Sequence, residues 1–373
     1  MARKNRVSVY DGVYHVTTRI ANRAMLLEPE EVKERLIGWI VSVADFSGVE
    51  IWGYAVMDNH LHLILHVPPV PKEYWLDPDD EPAAYAFGMR PPECRVPLWS
   101  GDSPSSGVSP RRPPVGFTLD DDTMLSRLRR LYGAKRAEGI ADEWASLRAR
   151  GLGSLVDERK ERYCRRMYNL SQYLKTLKET VSMWYNETYG HEGSLWQGRF
   201  YSGVVERSYK VLSVVAAYVA YNPVKAKIAS TPSSWKWSSY SLAVNDAGPE
   251  GGRCRAMYER MFGRPWAEVR ETLESIYADE LPPGVTPEQL KAWFDDYDED
   301  EEGNAVGERP AYRASQAIRA SLKVFRTGAY ISADPGFLKK LNAFLPAHFP
   351  RSGLRSIRRC RAFLWDLPER KAA

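Results

Sequence analysis

The chain has 373 residues, 44% of them hydrophobic and 27% charged, with a net charge of +4. These values are ordinary for a soluble globular protein of one large or two smaller domains, and exclude collagen-like and low-complexity classes. Its four cysteines (Cys94, Cys164, Cys254, Cys360) form no CxxC pair, so neither a disulfide framework nor a cysteine-rich zinc site is expected, and a reducing cytoplasm suits the chain.

The start, "MARKNRVSVYDG", has no apolar core and is not expected to be a signal peptide. Residues 11–19, "DGVYHVTTR", alternate like a strand. "EPEEVKERLIGWIVSVADF" follows, with acids first and Val32, Leu36, Ile40 and Val43 at helical spacing. This apolar region is interrupted by Asp45, Gly48 and Glu50, so no membrane span is expected. Strands are predicted over 49–57 and 60–67, joined as a hairpin by a tight turn at Met57-Asp58-Asn59. Residues 68–117 are proline-rich and weakly periodic, and read as a long, partly disordered loop. Helical patterning returns over 121–139 and 142–151. A longer helix is predicted at 162–186, with an apolar stripe of Leu170, Leu174, Leu177, Val181 and Trp184. "GHEGSLW" reads as a loop, 197–206 as a strand, and 208–222 as a helix that Pro223 ends.

Without the insertion the order is strand, helix, strand, strand, helix, strand, helix. That predicts an α+β, ferredoxin-like core: an antiparallel sheet of four to five strands with packed helices. The expected organisation is a core domain over 1–242 with an insertion at 68–160, an acidic helical or linker region at 243–309, and a basic, mainly helical region at 310–373. From about 241 the chain is expected to be helical and to lie outside the core. Charge is segregated the same way. Residues 158–230 carry 12 Lys/Arg against 6 Asp/Glu, residues 245–309 carry 7 against 17 including "DDYDEDEE" at 295–302, and residues 310–373 carry 13 against 3. Basic blocks favour a phosphate backbone through counterion release, although any one of them also reads as a solvated helix face.

The chemistry concentrates in "DNHLHLILHVP", which holds three of the six histidines. Side chains alternate along a strand, so His60, His62 and His66 share one face. His60 and His62, two positions apart, project in parallel and suit a shared divalent ion, although an isolated HxH is more often a pair of half-buried histidines. His66 is too far along the strand for the same ion and is expected to pack or meet solvent. In "YVAYNPVK", Tyr218 and Asn222 lie at i and i+4 on one helix face. Asn222 brings a carbonyl oxygen suited to Mg²⁺ or Mn²⁺. Tyr218 would lie beside the ion, which would make a hydroxyl of ordinary pKa about 10 a competent nucleophile. A lone helical tyrosine is otherwise usually a packing residue.

"YHVTTR", "HLH" after a hairpin turn, "YLKTLKETVSMWYN", "GSLWQGRF", "YVAYNPVKAKI" and "WKWSSY", in this order, resemble the HUH single-tyrosine transposases. The branch they look most like is that of the REP-associated tyrosine transposases related to IS200/IS605. The resemblance covers roughly residues 8–68 and 160–242. It implies that His60, His62 and Asn222 hold Mg²⁺ or Mn²⁺ and that Tyr218 is the nucleophile, with Tyr221, on another helix face, second choice. It implies nicking and strand transfer on single-stranded or hairpin DNA through a 5′-phosphotyrosine link. Arg199, Trp196 and Lys225 are expected DNA contacts, with packing the other reading for Trp196. The insertion and the C-terminal extension exceed a minimal enzyme of this kind. The partner expected is DNA rather than a membrane, for a monomer or homodimer. The alternatives are a catalytically silent repeat-DNA-binding protein on the same fold and an unrelated zinc hydrolase built on HxH.

Overall fold

The computed structural model describes residues 8–9, 11–78, 88–89, 116–278, 325–327, 330–332 and 361–362. Strand β1 (Ser8–Val9) is followed by β2 (Gly12–Arg19), α1 (Glu30–Ser47), β3 (Glu50–Val56) and β4 (His60–Val67). The two-residue β5 (Gly88–Met89) pairs with β1. Helices α2 (Asp121–Tyr132), α3 (Ala134–Ala149), α4 (Gly153–Cys164) and α5 (Leu170–Tyr189) come next, then β6 (Tyr201–Val205) and α6 (Tyr209–Lys225). Helices α7 (Ser239–Asn245), α8 (Pro249–Phe262) and α9 (Trp266–Ala278) lead to the short strands β7 (Phe325–Thr327), β8 (Tyr330–Ser332) and β9 (Arg361–Ala362).

The fold is α+β. Its core sheet runs β3-β4-β2-β6, every neighbouring pair antiparallel, which is the ferredoxin-like order expected of this element sequence. β8, β7 and β9 extend it to seven strands, with β8 parallel to β6. Helix was expected beyond residue 310, yet the described residues there are strand. "FRTGAYIS" carries the missed signal, β-branched and aromatic residues around Gly328. The remainder of that region, the acidic run 295–302 and most of the proline-rich insertion lie outside the described residues.

Hydrophobic patterning explains the layers. Val32, Leu36, Ile40 and Val43 of α1 and Leu170, Leu174, Leu177 and Val181 of α5 are all buried in one cluster with the sheet. Helix α6 is buried nearly all round, since it packs on β3 and β4 on one side and on α9 on another. Contrary to expectation, the chain beyond 241 also joins this core: Cys254, Met257 and Tyr258 of α8 and Val269 and Leu273 of α9 belong to it.

Two helix boundaries differ from those predicted. The helix expected over 162–186 is two, because Tyr168 turns to φ 48° and gives its N–H to the Ser47 carbonyl at 2.6 Å. Asn169 then caps α5 by accepting from Gln172 N at 3.1 Å. Gly48, in the left-handed region at φ 70°, is required here, since a Cβ would lie 2.6 Å from the Tyr168 ring. Pro223 does not end α6, which continues to Lys225. A proline in the last turn leaves only the Val219 carbonyl without its helical donor, a small loss so near the end.

Residues of the insertion and of its flanks build a second hydrophobic cluster. Met124, Leu128, Trp144, Leu147, Val156 and Cys164 pack around Phe46, which projects from the end of α1. Phe117 and Leu119 at the return of the loop join them, with the Trp75–Phe117 bridge closing its base.

Candidate active site

The register of β2 against β4 pairs Thr17 with His62 and Arg19 with His60. By alternation His15, Thr17 and Arg19 share one sheet face with His60 and His62. Helix α6 crosses this face and sets the ring of Tyr218 edge-on to both His62 (5.6 Å, 87°) and His15 (5.6 Å, 90°). His60 and His62 stand with ring centroids 5.1 Å apart. The structure therefore brings together the strand histidines and the helix tyrosine that sequence separates by more than 150 residues. Asn222 follows one turn after Tyr218, buried, with Nδ2 donating to the Tyr218 carbonyl at 2.7 Å. That bond holds Nδ2 on the helix, and Oδ1 is the atom a hard ion takes.

The Asp-Asn turn positions the first histidine. Asp58 is held by buried Lys33 at 2.7 Å, and its backbone carbonyl accepts from Leu27 N. Asn59 is tied by Nδ2 to the Arg23 carbonyl at 3.1 Å, and its Oδ1 meets His60 Nδ1 at 2.7 Å. A carboxamide oxygen only accepts, so His60 Nδ1 carries the proton and Nε2 keeps the lone pair. On His62 the contacts also fall at Nδ1: Thr17 Oγ1 at 3.2 Å and His15 Nε2 at 3.0 Å. The His15 and His62 rings stack, nearly parallel at 5.2 Å.

Electrostatics keep both rings neutral. Burial, then the charge of Arg19, lowers the His60 pKa to about 4. Burial, then the neighbouring His15 and His60, takes that of His62 well below its ordinary value. A neutral imidazole with Nδ1 donating and Nε2 as the remaining lone pair, as on His60, is the form in which histidine ligates metal. Two neutral imidazoles and an amide oxygen are donors whose chemistry suits a divalent ion. Among the described residues no group of three or more His, Cys, Asp or Glu is arranged to hold one.

His66 belongs elsewhere. Buried, it meets Asp11 Oδ1 through Nε2 at 2.7 Å and Glu50 Oε2 through Nδ1 at 3.0 Å. The bond from His66 holds the Glu50 pKa below its ordinary value. Arg207 pairs with Asp11 at 2.7 Å and lies over Trp52, which itself stacks on His66.

The other predicted residues separate. Trp196 is 5% exposed with Nε1 donating to the Lys178 carbonyl at 3.1 Å, so it packs and offers no open face for a base. Its loop hooks onto the end of β2 through Ala21 N to Leu195 O and Gln197 N to Arg19 O. Arg199 and Lys225 are exposed, and the charge of Lys225 is felt at His62. Tyr221 is half-buried and packs against the core cluster. "WKWSSY" covers the edge of β3: Val56 N bonds Trp237 O, Trp235 Nε1 bonds Val56 O, and Ser238 bridges Ala55. Sequence reading overlooked His15, Thr17 and Arg19 as site residues, although their two-residue spacing in "HVTTR" puts all three on the histidine face.

Residues 8–72 match the family described as Transposase IS200 like. A solved structure of a REP-associated tyrosine transposase bound to a REP hairpin is similar over 67% of this chain and 90% of that one, at 15% identity and a TM-score of 0.31. A search of curated proteins found no match. Among the described residues no helix is long and apolar enough to cross a membrane.

Proposed function

We propose that this chain, with its IS200-like transposase match, is a metal-dependent enzyme that nicks and rejoins single-stranded or hairpin DNA through Tyr218. The observation that carries the reading is the tyrosine ring standing edge-on to His62, beside His60, whose Nε2 lone pair suits a divalent ion. His60, His62 and Asn222 would hold Mg²⁺ or Mn²⁺. Once bound, the ion supplies polarisation of the phosphate and eases loss of the phenolic proton.

The chain's residues supply position. Asn59 orients His60, while Thr17 and His15 orient His62. Tyr218 Oη forms a bond to phosphorus as the bond from phosphorus to the 3′-oxygen breaks. The phenol gives up its proton and the departing 3′-oxygen gains one, so no oxidant or high-energy cofactor enters. The phosphotyrosine conserves the phosphodiester's energy, and attack by a 3′-hydroxyl reverses the step for strand transfer. Arg199 and Lys225, both exposed, would contact the DNA backbone.

The test is a denaturation-resistant protein–DNA adduct, formed on single-stranded DNA from the flank of the encoding gene with Mg²⁺ or Mn²⁺. The adduct should vanish in Tyr218→Phe and with chelator, and persist in Tyr221→Phe. Binding with no adduct in the unmodified protein would instead make the chain a DNA-binding protein on this fold.

A further inference from the structure

Arg19 ends β2 directly opposite His60, on the sheet face that carries His62 and Tyr218. It is half-buried, and among the described residues its guanidinium has no hydrogen-bond or ion-pair partner. Other basic side chains on or near this sheet are engaged: Lys33 with Asp58, Arg207 with Asp11. The imidazoles beside Arg19 offer it no negative charge, because an imidazole is neutral or cationic. A guanidinium brings five N–H donors in a planar fork and is rarely left partly buried without an acceptor. A phosphodiester is the acceptor whose geometry matches that fork.

We propose that Arg19 binds the non-bridging oxygens of the phosphate that Tyr218 attacks. This rests on the nicking reading above and adds to it a residue that touches the reacting group. As the tyrosine oxygen bonds to phosphorus and the 3′-oxygen leaves, negative charge grows on the non-bridging oxygens. A fixed guanidinium beside them stabilises that charge more than it stabilises bound substrate, so its effect falls on rate more than on affinity.

The experiment compares the unmodified chain with Arg19→Ala and Arg19→Lys on the same flank oligonucleotide. In Arg19→Ala the adduct should form about 10²- to 10³-fold more slowly, the loss typical of one removed oxyanion partner. Binding measured in chelator, without any ion, should weaken by less than tenfold, with the salt slope reduced by about one. Guanidinium in the buffer should restore part of the rate to Arg19→Ala, and none to Tyr218→Phe. A methylphosphonate at the cleaved position should slow the unmodified protein more than it slows Arg19→Ala. Arg19→Lys, which keeps charge but not the fork, should fall between. An adduct formed by Arg19→Ala at the normal rate would overturn the assignment and leave the nicking reading standing. Slowing without guanidinium rescue, and with an equal methylphosphonate penalty, would make Arg19 a structural residue and also overturn it. Absence of adduct in the unmodified protein would remove both together.

Discussion

His60 has one nitrogen taken by Asn59, and that decides which nitrogen an ion meets. Removing the amide frees the ring to rotate and to carry its proton on either nitrogen. Asn59→Ala should therefore weaken Mn²⁺ binding by about 10- to 100-fold, the usual effect of losing an outer partner of a ligand, read by calorimetric titration of the DNA-free protein. The pairing of His60 with His62 was legible from alternation, and the separateness of His66 from its distance along the strand. What His66 does was not legible, because both its carboxylate partners come from other segments, Asp11 before β2 and Glu50 on β3. His15 escaped notice for a similar reason. A single histidine in a strand says nothing until a neighbouring strand sets another ring at 5.2 Å against it.

At the scale of elements, the four core strands and their order followed from patterning, whereas helix ends followed from contacts that sequence does not display. The break before α5 is the clearest case, since it depends on a hydrogen bond to Ser47, more than a hundred residues away. The apolar stripe of α5 was nonetheless read correctly, with Leu177 only 1% exposed. Leu177→Ala should cost about 2–5 kcal/mol through lost burial and the cavity left behind, measured as a lower urea midpoint at unchanged m-value. At the start of α2, Asp121 joins three helices, pairing with Arg148 of α3 and with Lys160 of α4 at 2.9 Å. The bond from Arg148, with the others, lowers its pKa to about 2. Because the folded value lies below the unfolded value of about 3.9, this contribution is complete above about pH 4 and is lost as pH falls towards 2. Asp121→Asn should flatten that part of the acid-unfolding profile while leaving stability at pH 7 reduced.

At the scale of the whole molecule, the two faces of the core sheet carry different work. Helices α1 and α5 pack against each other over one face as core, and α6 lies over the other with the tyrosine. α6 is itself enclosed by α9, where Tyr209 meets Thr272 at 2.6 Å. A reading that ends the core near residue 242 misses this, because α8 and α9 contribute their apolar residues from behind a motif, "WKWSSY", that looks like an ending. That motif is an edge cover, and the chain continues past it into the same interior. Sequence distance and the long insertion hide such closure, since amphipathic helices declare that they are covered but not by what.

Phe46 gives α1 membership in two interiors at once, the main core through Val32 to Val43 and the insertion's cluster at its last turn. One helix thus joins the helices that follow the proline-rich segment to the sheet that carries the histidines. The insertion is consequently not a detachable appendage that could be cut out to give a minimal protein. Excision of residues 68–160 would leave Phe46 and Tyr168 facing water at the point where Ser47 anchors the α5 entry. A shortened version would have to repaint that end of α1 with polar side chains before it could stand alone.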